Sequence, residues 1–207
     1  MKLYLTSVAS QSLDEIIPDL SKRPQELKVL FIPTAADTYA EDNRPWFDAD
    51  RNKFIELGFQ LEDFDIKDKT EDEVRKALSK LDIIFVAGGN TFYLLEKVRE
   101  CGLDKVLREI AQIERVDLRG LSEKIYIGSS AGSIIVGPNI EPIKSFDDPS
   151  AADLDSYDAI GLVDFVILPH WGKDKYKEKQ AAVIKEYGHK YKLKPIKDGE
   201  MINISVR

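Results

Sequence analysis

The chain has 207 residues, of which 43% are hydrophobic and 32% are charged, and its formal net charge is −7. This composition is typical of a globular protein, and the length favours one domain spanning residues 1–207. The negative charge argues against a nucleic-acid partner, because phosphates would be repelled. No apolar stretch approaches the 18 residues that a membrane span needs, so we expect no membrane partner.

The first residues and the cysteine content bear on the compartment. The opening segment, MKLYLTSVASQSLDE, has one lysine and a short apolar run, which is typical of a first strand and not of a signal peptide. The single cysteine, Cys101, cannot form an internal disulfide. We therefore expect a cytoplasmic protein. A monomer and a homodimer both remain open.

Apolar runs of strand length alternate with helix-like stretches along the chain. Strands are predicted at 2–8, 28–34, 59–66, 82–89, 124–128 and 165–171. Helical patterns follow these runs, including one from Thr91 to Glu100 and one after Thr70, a predicted N-cap. Such alternation indicates an α/β fold, with a mostly parallel sheet and helices on both faces. The segment 138–160 is predicted to be irregular, and the closing KPIKDGEMINISV to form a hairpin.

Three unusual segments lie at predicted carboxyl ends of strands, where open parallel sheets bind ligands: AGGNT (87–91), GSSAG (128–132) and LPHWG (168–172). GSSAG has the G-x-S-x-G pattern of a nucleophile elbow, with Ser130 at its centre on a sharp strand-to-helix turn. The backbone N–H of Ala131 would then face an oxyanion. The alternative is a tightly packed turn without catalytic function.

A serine nucleophile needs a base, and the chain contains two histidines. His170 ends the apolar run FVILPH at a predicted strand end, which makes it the candidate base. A structural histidine at a strand end is the alternative. His189 lies in the charged segment EYGHKYK and is expected at the surface.

Two segments offer an acid that would orient His170. Asp198 comes from the closing KDGEM, whereas Asp147 and Asp148 lie in the irregular segment after the elbow. Each of these acids has an ordinary alternative as a turn residue, so the residues alone leave the choice open.

The second glycine segment offers further backbone donors. The N–H groups at Gly88 and Gly89 are candidates for a second oxyanion donor or for binding a substrate carboxylate. Asn90 or Thr91 would serve as N-cap of the following helix, a role compatible with ligand binding. The dinucleotide fingerprint G-x-G-x-x-G is missing, and two distant histidines with one cysteine make no convincing metal site. No cofactor or metal is therefore predicted.

Together these segments resemble a known family. KVLFIPTA, FVAGGNTFYLL, YIGSSAGSII, ILPHWG and a closing DG occur in the order and spacing of the peptidase E family, from the first strand to the last. That family comprises serine peptidases related to aspartyl dipeptidase. Its fold is similar to that of the class I glutamine amidotransferases, so the resemblance implies a three-layer arrangement.

The resemblance also implies roles for individual residues. Ser130 would be the nucleophile and His170 the general base, with the N–H groups of Gly89 and Ala131 forming the oxyanion hole. The third member of the triad maps to Asp198 in the closing hairpin, which we favour, or to Asp147 in the loop after the elbow.

One feature departs from the family pattern. Relatives that cleave after an amino-terminal aspartate commonly carry arginines just after the histidine, whereas this chain has lysines there: Lys173, Lys175 and Lys177. Arginine binds a carboxylate through two parallel hydrogen bonds, and lysine does not. The resemblance therefore predicts a serine peptidase acting on a small peptide substrate, and leaves a preference for aspartate open. The alternatives are a related hydrolase of another amide or ester, and a catalytically silent protein that binds a small anionic ligand.

Overall fold

The computed structural model describes residues 1–112 and 124–206. Its strands are β1 (Lys2–Thr6), β2 (Lys28–Ile32), β3 (Gln60–Asp63), β4 (Ile83–Val86), β5 (Ile125–Ser129), β6 (Val166–Leu168), β7 (Leu193–Pro195) and β8 (Met201–Ser205). Six strands form a central sheet in the order β3-β2-β4-β5-β1-β8. Strands β1 to β5 run parallel to one another, and β8 is antiparallel to β1. The mostly parallel sheet of the predicted α/β fold is confirmed.

The α-helices of the described residues are α1 (Leu13–Ile16), α2 (Pro45–Glu56), α3 (Glu71–Leu78), α4 (Thr91–Glu100), α5 (Leu103–Gln112), α6 (Ala131–Ile134) and α7 (Lys177–Tyr187). Short 3₁₀ helices lie at Ala9–Gln11, Ile17–Asp19, Pro24–Glu26, Thr34–Thr38, Glu41–Asn43, Glu141–Ile143, Pro149–Ala151 and Asp174–Tyr176. Helix α4 has the predicted bounds, and α3 begins after Thr70, whose hydroxyl accepts a hydrogen bond from the N–H of Glu73. In the described part of the chain, no helix is long and apolar enough to cross a membrane.

Helix α5 was absent from the sequence prediction, which passed from the helix ending at Glu100 to the strand at 124–128. Its buried apolar residues recur at helical spacing and include Leu103, Val106, Leu107 and Ile110. This periodicity of three and four residues is the ordinary signal of an amphipathic helix. The sequence therefore carried the information for α5, and the prediction missed it.

Alternate residues of the central strands pack into two separate cores. On β2, Leu30 and Ile32 join one core, and Val29 and Phe31 join the other. Helices α3, α4 and α5 contribute to the first core, whereas α1 and α2 contribute to the second. Because both faces of the sheet are covered, the inner strands β1, β2, β4 and β5 are buried at most positions. This arrangement has the three layers that the resemblance implied.

The closing segment does not form the predicted hairpin. Strand β7 pairs in parallel with β6 in a separate two-stranded sheet, and β8 pairs with β1 at the edge of the central sheet. The turn residues of KPIKDGEM therefore link two sheets and do not close a hairpin. Pairing with β8 covers backbone groups of β1 that an edge strand would leave unpaired. As a result, Asp198 lies on a crossing between the sheets, above their carboxyl ends.

Candidate active site

The predicted elbow is a strained turn between β5 and α6. Ser130 has φ 47° and ψ −106°, a backbone conformation that non-glycine residues rarely adopt. Small neighbours are required here, because a Cβ on Gly132 would lie 2.1 Å from the carbonyl oxygen of Val86. A Cβ on Gly128 would lie 2.6 Å from the Gly132 backbone. The two glycines of the G-x-S-x-G pattern thus permit the close backbone approach that raises Ser130 above the sheet.

Hydrogen bonds from β1 and within the turn hold this conformation. The N–H of Ser130 donates to the carbonyl oxygen of Thr6 at 3.1 Å. The buried hydroxyl of Ser133 contacts the carbonyl oxygens of Thr6 and Gly128, each at 2.8 Å. Ser133, which directly follows the motif, therefore stabilises the turn.

Ser130, His170 and Asp198 form a continuous row of polar contacts. The Oγ of Ser130 lies 3.3 Å from Nε2 of His170, and Nδ1 of His170 lies 2.7 Å from Oδ1 of Asp198. His170 follows β6, and Asp198 lies between β7 and β8. Both residues belong to the part of the fold beside the smaller sheet, so the two sheets together assemble this row.

The backbone of His170 is held on both sides. His170 has φ 58°, in the left-handed region. Its N–H donates to the Ser7 hydroxyl at 2.8 Å, and its carbonyl oxygen accepts from the side-chain amide of Gln180 at 2.9 Å. Gln180 also accepts from the N–H of Gly172 at 3.1 Å. These contacts hold the backbone of His170 in a conformation that costs about 1–3 kcal/mol to populate.

Asp198 is held in its ionised form. The hydroxyl of Ser7 donates to its Oδ1 at 2.7 Å, and the Lys173 ammonium pairs with its Oδ2. Burial alone would raise the pKa of the Asp198 carboxyl, but the hydrogen bonds from Lys173, Ser7 and His170 outweigh it and lower the pKa. An ionised carboxylate accepts the Nδ1–H of a histidine, which leaves Nε2 facing the serine.

The other predicted acid, Asp147, makes different contacts. Its Oδ2 accepts hydrogen bonds from the backbone N–H of Thr91 at 2.9 Å and from the Thr91 hydroxyl at 2.5 Å. The structure therefore brings Asp198 to His170 and places Asp147 at the start of α4. Its neighbour Asp148 accepts from the N–H of Ser150 and is a turn residue. Burial raises the pKa of the Asp147 carboxyl.

Of the two glycines of AGGNT, Gly88 lies against the elbow and Gly89 lies against the backbone of Ala35. A Cβ on Gly88 would be 3.3 Å from the Cβ of Ser130, and one on Gly89 would be 1.9 Å from the carbonyl oxygen of Ala35. Gly89 has φ 145°, which also favours glycine. Among the described residues, neither the N–H of Gly89 nor that of Ala131 donates to a protein acceptor.

Asn90 caps α4. Its Oδ1 accepts from the N–H groups of Phe92 and Tyr93 at 2.9 and 3.0 Å, and its amide donates to the Asp148 carbonyl oxygen at 2.8 Å. These are the N-cap contacts that the sequence offered as one of its roles. The side chain also ties α4 to the segment that carries Asp147.

A cavity of about 480 Å³ opens above Ser130. Its aromatic lining comes from Tyr39, Trp46, Phe146 and Tyr176. The Tyr176 ring stacks on the His170 ring with centroids 5.8 Å apart. A volume of this size suits a small ligand such as a short peptide.

Two cavity residues were missed by the sequence analysis. Asp50, on α2, is 2% exposed, and its carboxylate accepts from the N–H of Ser10 at 2.7 Å and from the Ser129 hydroxyl at 2.6 Å. Burial raises its pKa. The sequence contained a signal for a buried Asp50, because this residue lies at helical spacing between the buried Phe47 and Phe54. Ser7 directly follows β1, at the sheet edge that carries AGGNT and GSSAG, and a polar residue at that position was a signal for a site residue.

The three lysines after His170 differ in their surroundings. Lys173 lines the cavity and is paired with Asp198. Lys175 also lines the cavity, with its ammonium 4.5 Å from the centre of the Tyr176 ring. Lys177 pairs with Asp174 at 2.7 Å, and both side chains are exposed.

The remaining candidates lie away from this site. His189 is exposed, as predicted. Cys101 is buried, and burial raises the pKa of its thiol to about 11, so it is a protonated thiol at neutral pH. Within the described ranges, no group of three or more His, Cys, Asp or Glu side chains is arranged to hold a metal ion.

Comparisons with known proteins identify the family of this chain. The model of peptidase family S51 matches residues 4–206. An uncharacterized peptidase of Listeria monocytogenes is 36% identical over 207 residues, covering 98% of this chain and 93% of that protein. A peptidase E of Salmonella arizonae is 42% identical over 96 residues, which is 46% of this chain and 37% of that protein.

The structure is also similar to a solved one. A protein of Listeria monocytogenes EGD-e, provisionally named peptidase E, superposes with a TM-score of 0.82 at 32% identity, covering 100% of this chain and 98% of that one. The match includes the strands and helices that carry the elbow. The chain is therefore a peptidase of family S51.

Proposed function

We propose that this protein is a serine-type peptidase that cleaves short peptides through an acyl-enzyme on Ser130. The observation that carries the proposal is the row of contacts at the cavity floor, from Ser130 through His170 to Asp198. Membership of a peptidase family supports hydrolysis of peptide bonds. The 3.3 Å between Ser130 and His170 is within the range seen in sites that tighten when substrate binds.

The proposed reaction has two halves. Ser130 Oγ attacks the peptide carbonyl carbon as its proton passes to Nε2 of His170, and the C–N bond then breaks as His170 protonates the leaving amine. In the second half, His170 takes a proton from water, the resulting hydroxide attacks the acyl-enzyme, and Ser130 leaves with the proton. Asp198 keeps the proton on Nδ1 in the neutral ring and stabilises the imidazolium.

Backbone donors would stabilise the charge on the carbonyl oxygen. The N–H groups of Gly89 and Ala131 border the reactive serine and have no protein acceptor in the described chain. Loss of a single oxyanion donor typically costs about 100- to 1,000-fold in rate, so these two groups would supply a large share of catalysis. None of these steps calls for a cofactor.

The test is mass spectrometry after treatment with a fluorophosphonate probe, which forms a covalent adduct with activated serines. Wild-type protein should carry one adduct, on Ser130, and Ser130→Ala should carry none. His170→Ala should label at least about 1,000-fold more slowly, because the base is missing. His189→Ala is the matched control, since it removes the exposed histidine, and it should label at the wild-type rate.

Two results would contradict the proposal. Folded wild-type protein without an adduct would favour the silent protein that binds a small anionic ligand. An adduct accompanied by hydrolysis of small esters, but not of dipeptides, would favour a related hydrolase.

A further inference from the structure

Asp147 presents a carboxylate oxygen to the cavity. The carboxylate accepts two hydrogen bonds, from the N–H and the hydroxyl of Thr91, and both end on Oδ2. Within the described chain, Oδ1 has no hydrogen-bond partner, and the residue lines the cavity. The side chain is therefore fixed through one oxygen while the other remains available to a ligand.

The other two carboxylates of the cavity differ from Asp147. Both oxygens of Asp50 accept hydrogen bonds, from Ser10 and from Ser129. Both oxygens of Asp198 are also engaged, one by His170 and Ser7 and the other by Lys173. Of the three, Asp147 is the one whose carboxylate has an oxygen left to bind a cation.

The distance from Asp147 to the proposed oxyanion donor Gly89 limits the length of ligand that can contact both. Thr91 is two residues beyond Gly89, so their backbone nitrogens are at most about 7 Å apart. Because Asp147 Oδ2 is 2.9 Å from the N–H nitrogen of Thr91, the carboxylate lies at most about 10 Å from the N–H of Gly89. If hydrogen bonds of about 3 Å lie along this line at each end, about 4 Å or less remains between the ammonium nitrogen and the carbonyl oxygen of the substrate. The scissile carbonyl then belongs to the first or second amino acid of the peptide.

We propose that Asp147 binds the free α-ammonium group of the substrate and thereby restricts cleavage to the amino-terminal end of short peptides. This inference rests on the proposed function, because it assumes that the scissile carbonyl lies at Ser130. Asp147 then has a binding role that replaces its alternative role as partner of His170. Burial raises the pKa of the Asp147 carboxyl, and a substrate ammonium bound to Oδ1 would favour its ionised form.

The experiment compares two substrate mixtures, one of X-Ala dipeptides with varied X and the same mixture after N-acetylation, each followed by mass spectrometry. Wild-type protein should cleave the free dipeptides about 10- to 100-fold faster, which is typical for one charge-assisted hydrogen bond. Asp147→Asn should lose most of this preference by slowing cleavage of the free dipeptides only. Asp148→Asn, the same change at the adjacent exposed carboxylate, should behave like wild type.

A fluorophosphonate adduct on Ser130 separates this inference from the proposed function. Asp147→Asn should form the adduct at the wild-type rate, because the probe has no ammonium group. Wild-type protein that forms the adduct but cleaves the acetylated mixture as fast as the free one, or cleaves neither, would overturn the inference. This wild-type comparison applies even if Asp147→Asn fails to fold. Absence of the adduct would instead overturn the proposed function.

Discussion

Ser7 and His170 are joined by a hydrogen bond in which the Ser7 hydroxyl accepts the backbone N–H of His170 at 2.8 Å. The same hydroxyl donates to Asp198 at 2.7 Å. The Oγ of Ser7, directly after β1, therefore connects the proposed base to its acid. His170 has a positive φ, and a rigid partner is needed to hold it there. Ser7 is thus a positioning residue for the imidazole.

Replacing Ser7 with alanine should slow the reaction and also destabilise the fold. The change leaves the N–H of His170 without its acceptor and removes one donor to Asp198, and a buried unpaired group costs about 1–3 kcal/mol. We expect the fluorophosphonate labelling rate of Ser130 to fall about 5- to 100-fold. The labelling rate and the free energy of unfolding should be measured on the same preparation.

Ser12→Ala is the control for this prediction. Ser12 is equally buried and lies five residues along the chain, but its hydroxyl contacts the carbonyl oxygen of Val8 and not the site. It should lose stability and keep the wild-type labelling rate. If Ser7→Ala also kept that rate, the positioning role would be wrong.

Lys173→Met removes the cation beside Asp198, and the pKa of the Asp198 carboxyl should therefore rise. A carboxyl with a lowered pKa stabilises the fold above its unfolded pKa, near 4, and that stabilisation is lost as the pH falls through the folded pKa. In the variant, the loss should begin at a higher pH. At about pH 7 the free energy of unfolding should change by only about 0–1 kcal/mol, because Lys173 is half exposed.

The measurement is the free energy of unfolding from about pH 3 to pH 7. Lys177→Met serves as the control, since it removes a lysine that pairs with the exposed Asp174. Identical pH dependence in the two variants would show that Lys173 does not set the pKa of Asp198.

The strands of the central sheet and the elbow were predictable because their signals are local. Apolar runs mark the buried strands. The two glycines around Ser130 mark the elbow, because the backbone segments that approach each other there lie within five residues of the chain. His170 was found by the same strand-end argument, although its strand belongs to the smaller sheet. Its closeness to Ser130 was expected from a common sheet edge and arises instead from two neighbouring sheets.

Apart from α5, the features that were missed depend on contacts between distant parts of the chain. The pairing of β8 with β1 joins the two ends of the described chain, and no local pattern distinguishes it from a hairpin. Ser7 and His170 are 163 residues apart, and Asp50 and Ser129 are 79 apart. A polar residue at a strand end or on a buried helix face was visible in the sequence, but its partner was not.

Gly132→Ala should destabilise the fold strongly. The new Cβ would lie 2.1 Å from the carbonyl oxygen of Val86, so β4 and the elbow would have to separate. We expect a loss of about 3 kcal/mol or more in the free energy of unfolding, at the upper end of the range for overpacking, together with loss of Ser130 labelling. Gly161→Ala is the control, because a Cβ on Gly161 would meet no atom within 4 Å and the cost of the change is limited to the positive φ, about 1–2 kcal/mol. Labelling by the control at the wild-type rate is expected, and equal losses of stability in both variants would contradict the steric argument.

Asp50→Asn should remove a pH dependence of stability. Burial raises the pKa of Asp50 in the folded state, so between the unfolded pKa, near 4, and the folded pKa the native state binds more protons than the unfolded state. The free energy of unfolding of the wild type should therefore fall as the pH rises through that window. Asparagine does not titrate, and the variant should show a flatter profile, measured by chemical denaturation across the window. Asp48→Asn changes an exposed carboxylate on the same helix and should keep the wild-type slope. An Asp50→Asn profile that parallels the wild type would mean that Asp50 does not bind the extra proton.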